Sequence, residues 1–437
     1  MLRGYLMKLT TLRPWVSGLL LWPAAGLMAQ IVAPPTTLPA GTAAVAPAGP
    51  AYGLGELVNI VLTHNPTLQM ARRSREQAQA GIRTAGALTN PRLEFSDGRL
   101  RPSHGGSSGN VSAWGVSQMI ENPWLRSARV DAAEQGLRSS EAQVGMTRSE
   151  VVAQVRLRAY ELLLRIEEAR AAADELLLLE QTRERVRLRV SSGEAARYEI
   201  IKAEAEFISA RQRQQSARLA VEQARIRLNQ LAAGQLPAGW RLSADLGDTL
   251  APLNPSLLRE LMLAHNPELQ ALGAEQERQQ ARVREAGASR WPGVELRYSD
   301  TREPDNRQNI VGASIQLPLF DQKRGPRDEA QAEQLRARAR LDGRQIELQL
   351  QLDAAVMTLE MARLRVEALG TGAIRDAEAA LRVAEAAYRY GERGILDVLD
   401  AQRVLRTVRA DLLQARFQQQ AAVIEIDLLT GRDAAQP

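Results

Sequence analysis

The sequence predicts a mainly α-helical chain built as two copies of one unit, each with a long helical hairpin and a short β-hairpin. Three observations carry that prediction. The first is self-similarity. His64-Asn65-Pro66-Thr67-Leu68-Gln69 returns as His265-Asn266-Pro267-Glu268-Leu269-Gln270, and Gly86, Pro91 and Glu94 meet Gly287, Pro292 and Glu295. Gly115-Val116-Ser117 then parallels Gly312-Ala313-Ser314, and Gly193-Glu194 parallels Gly391-Glu392. A period of about 200 residues is far beyond the ~20–50 residues of a solenoid unit. The halves match at Gly, Pro and apolar positions and not at reactive groups, so the duplication serves architecture. The second observation is where proline is missing, and the third is a local switch of hydrophobic period from 3.6 to 2.

The N-terminus carries Arg3, Lys8 and Arg13 ahead of a mostly apolar stretch from Trp15 to Ala29. That stretch is too short for a spanning helix and has the length of a signal-peptide core, with cleavage expected after Ala29. Residues 1–29 are therefore expected to be an export signal. Residues 30–52 are rich in Pro and Ala and cannot build a core, so they read as an extended tether or leader. The chain has no cysteine, which excludes disulfides, thiolate metal sites and a lipidated N-terminal Cys. The net charge of +5 comes from Arg interleaved with acids along the whole chain. A nucleic-acid partner would call for a basic patch or stripe concentrated in the sequence, and the interleaved charges show none.

No proline occurs between Pro123 and Pro237, or between Pro326 and Pro437. Proline costs roughly 3 kcal/mol inside a helix, so both gaps permit very long helices. Leu348, Leu352, Ala355, Leu359, Ala362, Val366 and Leu369 follow the 4-3 alternation of a coiled-coil seam. Val130, Leu137, Val144 and Val151 give a looser stripe in the first gap. Each gap breaks once, near Ser191-Ser192-Gly193 and near Gly391 to Gly394. The expected helices are Leu125 to Val190, Ala195 to Leu231, Arg327 to Tyr390 and Ile395 to Leu429. Shorter helical segments, Leu54 to Leu88 and Pro255 to Ser289, precede them and break at each His-Asn-Pro. There Asn65 and Asn266 serve as N-caps and the prolines open the next helix. His64 and His265 read as helix-entry residues. With His104 they are the only histidines, and no tight transition-metal site is expected.

Between the short and long helices of each copy, apolar and polar residues alternate. Val294, Leu296 and Tyr298 alternate with Glu295, Arg297 and Ser299, and Val311, Ala313, Ile315 and Leu317 with Gly312, Ser314 and Gln316. Four strands are expected: Leu93 to Leu100, Val111 to Ile120, Val294 to Asp300 and Ile310 to Leu319. Strands of about ten residues with this alternation fit a membrane β-barrel wall, apolar toward lipid and polar toward the lumen. A small soluble β-subdomain is the competing explanation. Four strands cannot close a barrel, whose minimum is about eight, whereas three chains would supply twelve.

The run Tyr388-Arg389-Tyr390-Gly391-Glu392-Arg393-Gly394-Ile395-Leu396-Asp397-Val398-Leu399-Asp400-Ala401-Gln402 resembles the periplasmic tip of the second hairpin in the TolC family of outer-membrane efflux proteins. The weaker first copy keeps an acid at Glu199 and has Lys202 where the second has Asp400. The resemblance covers about Leu54 to Gly431. It implies a homotrimer whose helical hairpins form a trimeric helical tunnel across the periplasm. It also implies that four β-strands per chain join a shared 12-stranded barrel in the cell outer membrane. The partners it implies are a periplasmic adaptor (membrane fusion protein), an inner-membrane RND-type pump and outer-membrane lipid, with no nucleic acid and no cofactor. By the same resemblance Tyr388, Arg393, Asp397, Asp400 and Glu199 would form a periplasmic gate, with Arg393 tied to Glu199 on the first hairpin. The short elements, Asn90-Pro91-Arg92-Leu93-Glu94 and Leu317-Pro318-Leu319-Phe320-Asp321, are most similar to the branch serving cobalt–zinc–cadmium pumps.

The expected domain organisation is 1–29 signal peptide, 30–52 Pro/Ala-rich segment, 53–252 first repeat, 253–431 second repeat and 432–437 tail. The expected function is a passive exit duct, not an enzyme, because no Ser/His/Asp set, phosphate-binding Gly loop or His cluster appears. Multidrug efflux and type I protein secretion use the same scaffold and remain alternatives. A periplasmic coiled-coil adaptor is a more remote one, since an adaptor would have one hairpin set between β segments.

Overall fold

The computed structural model describes residues 49–101, 103, 105–246 and 254–432. The expected export segment, nearly all of the 30–52 stretch, His104 and the tail beyond Arg432 lie outside the described residues. The 30–52 stretch is not irregular to its end. Strand β1 (Ala51–Tyr52) pairs in parallel with β4 (Arg241–Leu242), in the connection that joins the two repeats.

The same order of elements then occurs twice. The first repeat runs α1 (Leu54–His64), α2 (Pro66–Gly86), β2 (Arg92–Leu100), β3 (Gly109–Ile120), α3 (Pro123–Ser191) and α4 (Arg197–Leu231). The second runs α5 (Pro255–His265), α6 (Pro267–Ala288), β5 (Val294–Arg302), β6 (Arg307–Ile315), α7 (Arg324–Ala368), α8 (Ile374–Arg389) and α9 (Ile395–Thr430). At 69 residues, α3 is on the order of 100 Å long.

The His-Asn-Pro breaks do more than start a helix. Asn65 Oδ1 accepts from the Leu68 amide, while its Nδ2 donates to the Leu231 carbonyl at the end of α4. Asn266 repeats the arrangement with the Leu269 amide and the Leu429 carbonyl near the end of α9. Each buried Asn thus caps one helix and satisfies an orphan carbonyl of another. His64 is exposed and its Nδ1 lies 3.0 Å from the Ile60 carbonyl oxygen, in keeping with a helix-end residue.

Two expectations need correction. The helix expected from Arg327 to Tyr390 is interrupted by a π turn at Leu369–Ala373. The 4-3 seam, extended past Leu369, would bury positions 376, 380 and 387. The buried residues are instead Ala377, Leu381 and Tyr388, one step later. A π turn inserts one extra residue and absorbs that slip. Gly370 and Gly372 make the local loss of α-helix inexpensive, and the Thr371 hydroxyl donates to the Glu367 carbonyl. The fourth strand also ends at Ile315, not at Leu319. Pro318 cannot donate to a ladder, and the Leu319 amide turns back onto the Leu317 carbonyl.

The four longer strands form one antiparallel sheet in the order β2-β3-β5-β6, and the β3–β5 pairing joins the repeats. Phe95 lies opposite Trp114, Val116 opposite Tyr298, and Tyr298 opposite Val311. Leu93, Phe95, Trp114, Val116, Leu296, Tyr298 and Val311 therefore share one face, and Trp114 meets Tyr298 edge-on at 5.4 Å. Glu94, Ser96, Ser117, Arg297, Ser299 and Ser314 share the other. The apolar face is bare, with Val311 83% exposed. Among the described residues, strands β2 and β6 each keep one unpaired edge.

The helical core centres on α3, which packs against α1, α2, α4, α6 and α9. From Val151 to Leu164 it is buried on several sides, which is why the apolar stripe there broadens beyond a simple seam. Leu57 and Val61 pack with Val155, Leu162 and Leu228, and Leu258 and Met262 pack with Leu348, Leu352 and Ile426. Each fully buried Leu contributes roughly 1.5–3 kcal/mol of transfer free energy. Among the described residues no helix is long and apolar enough to cross a membrane.

Candidate functional site

The two hairpin tips share one turn chemistry. α3 ends with Gly193 at φ 79°, and the Glu194 amide donates to the Arg189 carbonyl. α8 ends with Gly391 at φ 76°, and the Glu392 amide donates to the Ala387 carbonyl. This closure needs a left-handed residue, so the repeated Gly-Glu marks a glycine that terminates each helix. The returning helices begin without a side-chain cap and carry an acid in the first turn, Glu199 in α4 and Asp397 in α9. A carboxylate there stabilises the positive end of the helix dipole by about 0.3–1 kcal/mol.

The five expected gate residues separate into three groups. Tyr388 is buried at the tip beneath Arg189, whose guanidinium lies 4.7 Å from the ring centroid and donates to the Tyr388 carbonyl at 3.0 Å. Glu199 belongs to this group. Burial first, and then the Glu199 charge, raise the Tyr388 pKa, which Arg189 partly opposes. Among the described residues the Tyr388 hydroxyl and Glu199 Oε2 are both buried with no partner in hydrogen-bond geometry, though they lie near enough for Glu199 to act on the hydroxyl. The second group is Arg393 with Asp397, 3.3 Å apart on the same helix start. The expected link from Arg393 to Glu199 is not made within the chain, because Glu199 turns inward toward Tyr388 while Arg393 stays on the exposed turn. Arg189, which the sequence reading did not single out, joins the two tips instead. The third group is Asp400, 74% exposed, with Arg403 4.0 Å away. Arg403 is committed to Glu206 on α4 at 2.7 Å.

Above the tip a second tie joins three helices. Glu175 of α3 accepts from Arg213 of α4 at 2.8 Å and from Arg406 of α9 at 3.1 Å. Its side chain is only 15% exposed. The tie borders a cleft of about 490 Å³, into whose wall the buried Gln402 is set with both amide atoms unpartnered. Leu179, Val186, Ala203, Leu381, Tyr388 and Val398 form the apolar cluster under the tips. The arrangement can hold two hairpins together through a few charged contacts and present carboxylates at a turn. Among the described residues no group of three or more His, Cys, Asp or Glu is placed to hold a metal ion.

Comparison with known proteins agrees with the duplicated architecture. The family model described as outer membrane efflux protein matches residues 57–234 and 258–432, one segment in each repeat. The chain is 26% identical over 387 residues to the cobalt-zinc-cadmium resistance protein CzcC of Cupriavidus metallidurans, covering 88% of this chain and 91% of that protein. Solved structures with the same fold include CusC, with a TM-score of 0.74 at 18% identity over 86% of this chain and 92% of CusC. They also include the CmeC outer membrane channel of Campylobacter jejuni, with a TM-score of 0.75 at 16% identity over 86% of this chain and 85% of CmeC. The two matched segments take in most of the helices and all four long strands, and on that ground the chain belongs to the outer membrane efflux protein family, as an efflux channel of the outer membrane.

Proposed function

We propose that three copies of this chain form a passive exit duct for heavy-metal cations such as cobalt, zinc or cadmium. An inner-membrane RND-type pump and a periplasmic adaptor would deliver the cations. The observation that carries the assembly is the four-stranded sheet with two unpaired edges and a bare apolar face. In hydrocarbon each unsatisfied backbone group costs several kcal/mol, so the edges of β2 and β6 must pair with other copies. Three copies supply twelve strands, within the range of closed membrane barrels. Trp124, Trp291 and the fully exposed Phe320 lie next to the periplasmic ends of the strands, where an aromatic belt would meet the membrane surface. The cargo reading rests on the likeness to a cobalt-zinc-cadmium resistance protein over 91% of its length.

The duct performs no reaction; its chemistry is confined to the gate. Three-fold assembly would bring Asp397 and Asp400 from three tips toward one axis, where rings of carboxylates attract cations. Deletion of the gene should sensitise the host to cobalt, zinc or cadmium more than to dyes and detergents. Sensitivity to dyes alone would overturn the cargo reading and leave the channel. Heat-modifiable migration of the membrane-extracted protein tests the trimer separately. In planar bilayers Asp397→Ala with Asp400→Ala should abolish block by multivalent cations from the periplasmic side, and Arg393→Ala should raise conductance. Unchanged block and conductance would leave the turn without a gating role.

A further inference from the structure

We infer that a basic cleft at the junction of sheet and helices binds the phosphate headgroup of an anionic phospholipid in the inner leaflet of the outer membrane. The cleft, of about 700 Å³, lies where the chain passes from α6 into β5 and from β6 into α7. Arg290, Lys323, Arg324 and Arg327 line it, and no carboxylate does. Lys323 is ion-paired with Asp321. Arg290 lies over the Trp291 ring at 5.2 Å, and among the described residues Arg290, Arg324 and Arg327 have no ion-pair partner, whereas Arg344 further along α7 is paired with Glu268 and Glu347. Three guanidiniums thus line one concavity in which no carboxylate takes part; Asp328 and Glu329 follow on α7 outside that lining.

The start of α7 gives an independent reason to place an anion there. A helix N-terminus is the positive end of the dipole and favours acids. α7 has no acid in its first turn and no side-chain cap, and its N-cap is Lys323 at φ 57°. Lys323, Arg324 and Arg327 therefore crowd positive charge onto the wrong end of a 45-residue helix. That choice is unfavourable for the helix alone and becomes favourable when a phosphate sits on the free amides and guanidiniums together.

Position identifies the occupant as a lipid. The sheet side of the cleft carries Trp291, Leu317 and Pro318, with Leu319 and Phe320 exposed beside it, while the helix side carries the cations. In an outer-membrane channel this is the level at which acyl chains end and headgroups begin. Apolar groups above and guanidiniums below match one phospholipid, its tails against Leu317 and Trp291 and its phosphate against Arg324 and Arg327. Basic pockets at such a boundary favour anionic over zwitterionic lipid. The first repeat offers a different lining at the matching place. The corresponding depression, near Leu88 and Thr89, has Arg129 as its only cation, and Arg129 is paired with Glu121. The expected stoichiometry is therefore one lipid per chain. The inference rests on the outer-membrane location and not on the identity of the cargo.

Native mass spectrometry of the full-length protein, extracted in detergent and titrated with phosphatidylglycerol or with phosphatidylcholine of the same acyl chains, tests this. Phosphatidylglycerol should add up to one molecule per chain at least tenfold more tightly than phosphatidylcholine. Arg290→Gln with Arg324→Gln and Arg327→Gln should remove that preference, and Arg→Lys at the same three positions should keep most of it. Equal adducts from the two lipids, or a preference that survives the Gln variant, would overturn the inference. So would a Gln variant that loses its assembly while wild-type lipid binding shows no headgroup preference, since the cations would then serve a neighbouring subunit's carboxylate. Inorganic phosphate should not displace the lipid at concentrations that leave the protein assembled.

Discussion

Glu175 offers a measurable hold between the two hairpins. Replacing it with Gln keeps the shape and removes the charge that Arg213 and Arg406 share. At an effective dielectric of about 20, each pair near 4 Å has a gross attraction of about 4 kcal/mol. Most of this is offset by desolvation of Glu175 and by solvent screening of the arginines, which are about a third exposed. A net loss of about 1–2 kcal/mol remains, because the variant also leaves two guanidiniums facing each other without an acid between them. Global melting is a poor assay for so small a change in a chain of this size, but local opening is not. A loss of 1–2 kcal/mol in the opening free energy should speed amide exchange about 5–30-fold along the seam.

Hydrogen exchange followed by mass spectrometry of the membrane-embedded protein therefore reads the effect directly. In Glu175→Gln, peptides covering Gln402 to Leu413 of α9 should lose protection. Glu161→Gln is the internal control. Glu161 is as buried as Glu175 and also meets two arginines, Arg158 on α3 and Arg227 on α4, but none on α9. It should loosen α4 and leave α9 unchanged. If α9 exchanges at the wild-type rate in Glu175→Gln, or equally fast in both variants, the reasoning that Glu175 joins the hairpins is wrong.

Val311→Arg, in the middle of the apolar sheet face, should cost roughly 2–4 kcal/mol in a lipid-facing wall, and Ile310→Arg on the opposite face much less; equal losses in folding titrations into bilayers would refute the face assignment. Ile315, at the end of β6, is the weaker probe of the same point. Burial and then the charge of Glu268 raise the pKa of Glu150. A raised carboxylate contributes stability that is present below its unfolded value of about 4.5 and is lost as pH rises through the folded value. Glu150→Gln should therefore stabilise α3 slightly at pH 7, by less than about 1 kcal/mol after screening, read as slower amide exchange around residue 150, and the gain should vanish below pH about 4. Tyr388→Phe removes a buried hydroxyl without a partner and should be neutral or mildly stabilising, within about 1 kcal/mol by denaturant titration.

The proline gaps, the duplicated turns and the period-2 stretches made the element order legible before any coordinates, because each reports a backbone requirement that one residue type satisfies or breaks. Gly193 and Gly391 are the clearest cases. The repeat marked a helix break at both, and the structure supplies the left-handed conformation that makes it. The π turn was harder to see, since a one-residue slip in a 4-3 seam is visible only when the later stripe of Ala377, Leu381 and Tyr388 is counted against the earlier one. The double use of Asn65 and Asn266 was hidden for a different reason. An N-cap is local in sequence, whereas the carbonyls of Leu231 and Leu429 lie more than 160 residues away. At the gate, local and long-range signals were confused. The acid at the third position of α4 and of α9 serves a helix start in both copies, so its recurrence does not identify a partner. Which acid faces inward depends on Tyr388 and Arg189, and that is a matter of packing.

The two tips have diverged in one direction. Three residues beyond the shared acid, α4 has Lys202, which lies over the Tyr198 ring at 5.6 Å, and α9 has Asp400. Glu199 is drawn into the contact between hairpins, while Asp397 and Asp400 stay on an exposed face, with side chains 46% and 74% exposed. Arg393 lies 3.3 Å from Asp397, and Arg403 is held by Glu206, so Asp400 has little compensating charge. At the tips the negative charge of the first hairpin at Glu199 is buried, whereas that of Asp400 on the second is exposed and weakly compensated. In the proposed trimer that hairpin would bring six carboxylates together when the duct narrows. Their repulsion opposes closure, and bound cations relieve it. Under that proposal closure and block by multivalent cations would depend on the same pair of aspartates, as one electrostatic balance on α9. The apolar cluster of Leu381, Tyr388, Ile395 and Val398 holds that helix start in place.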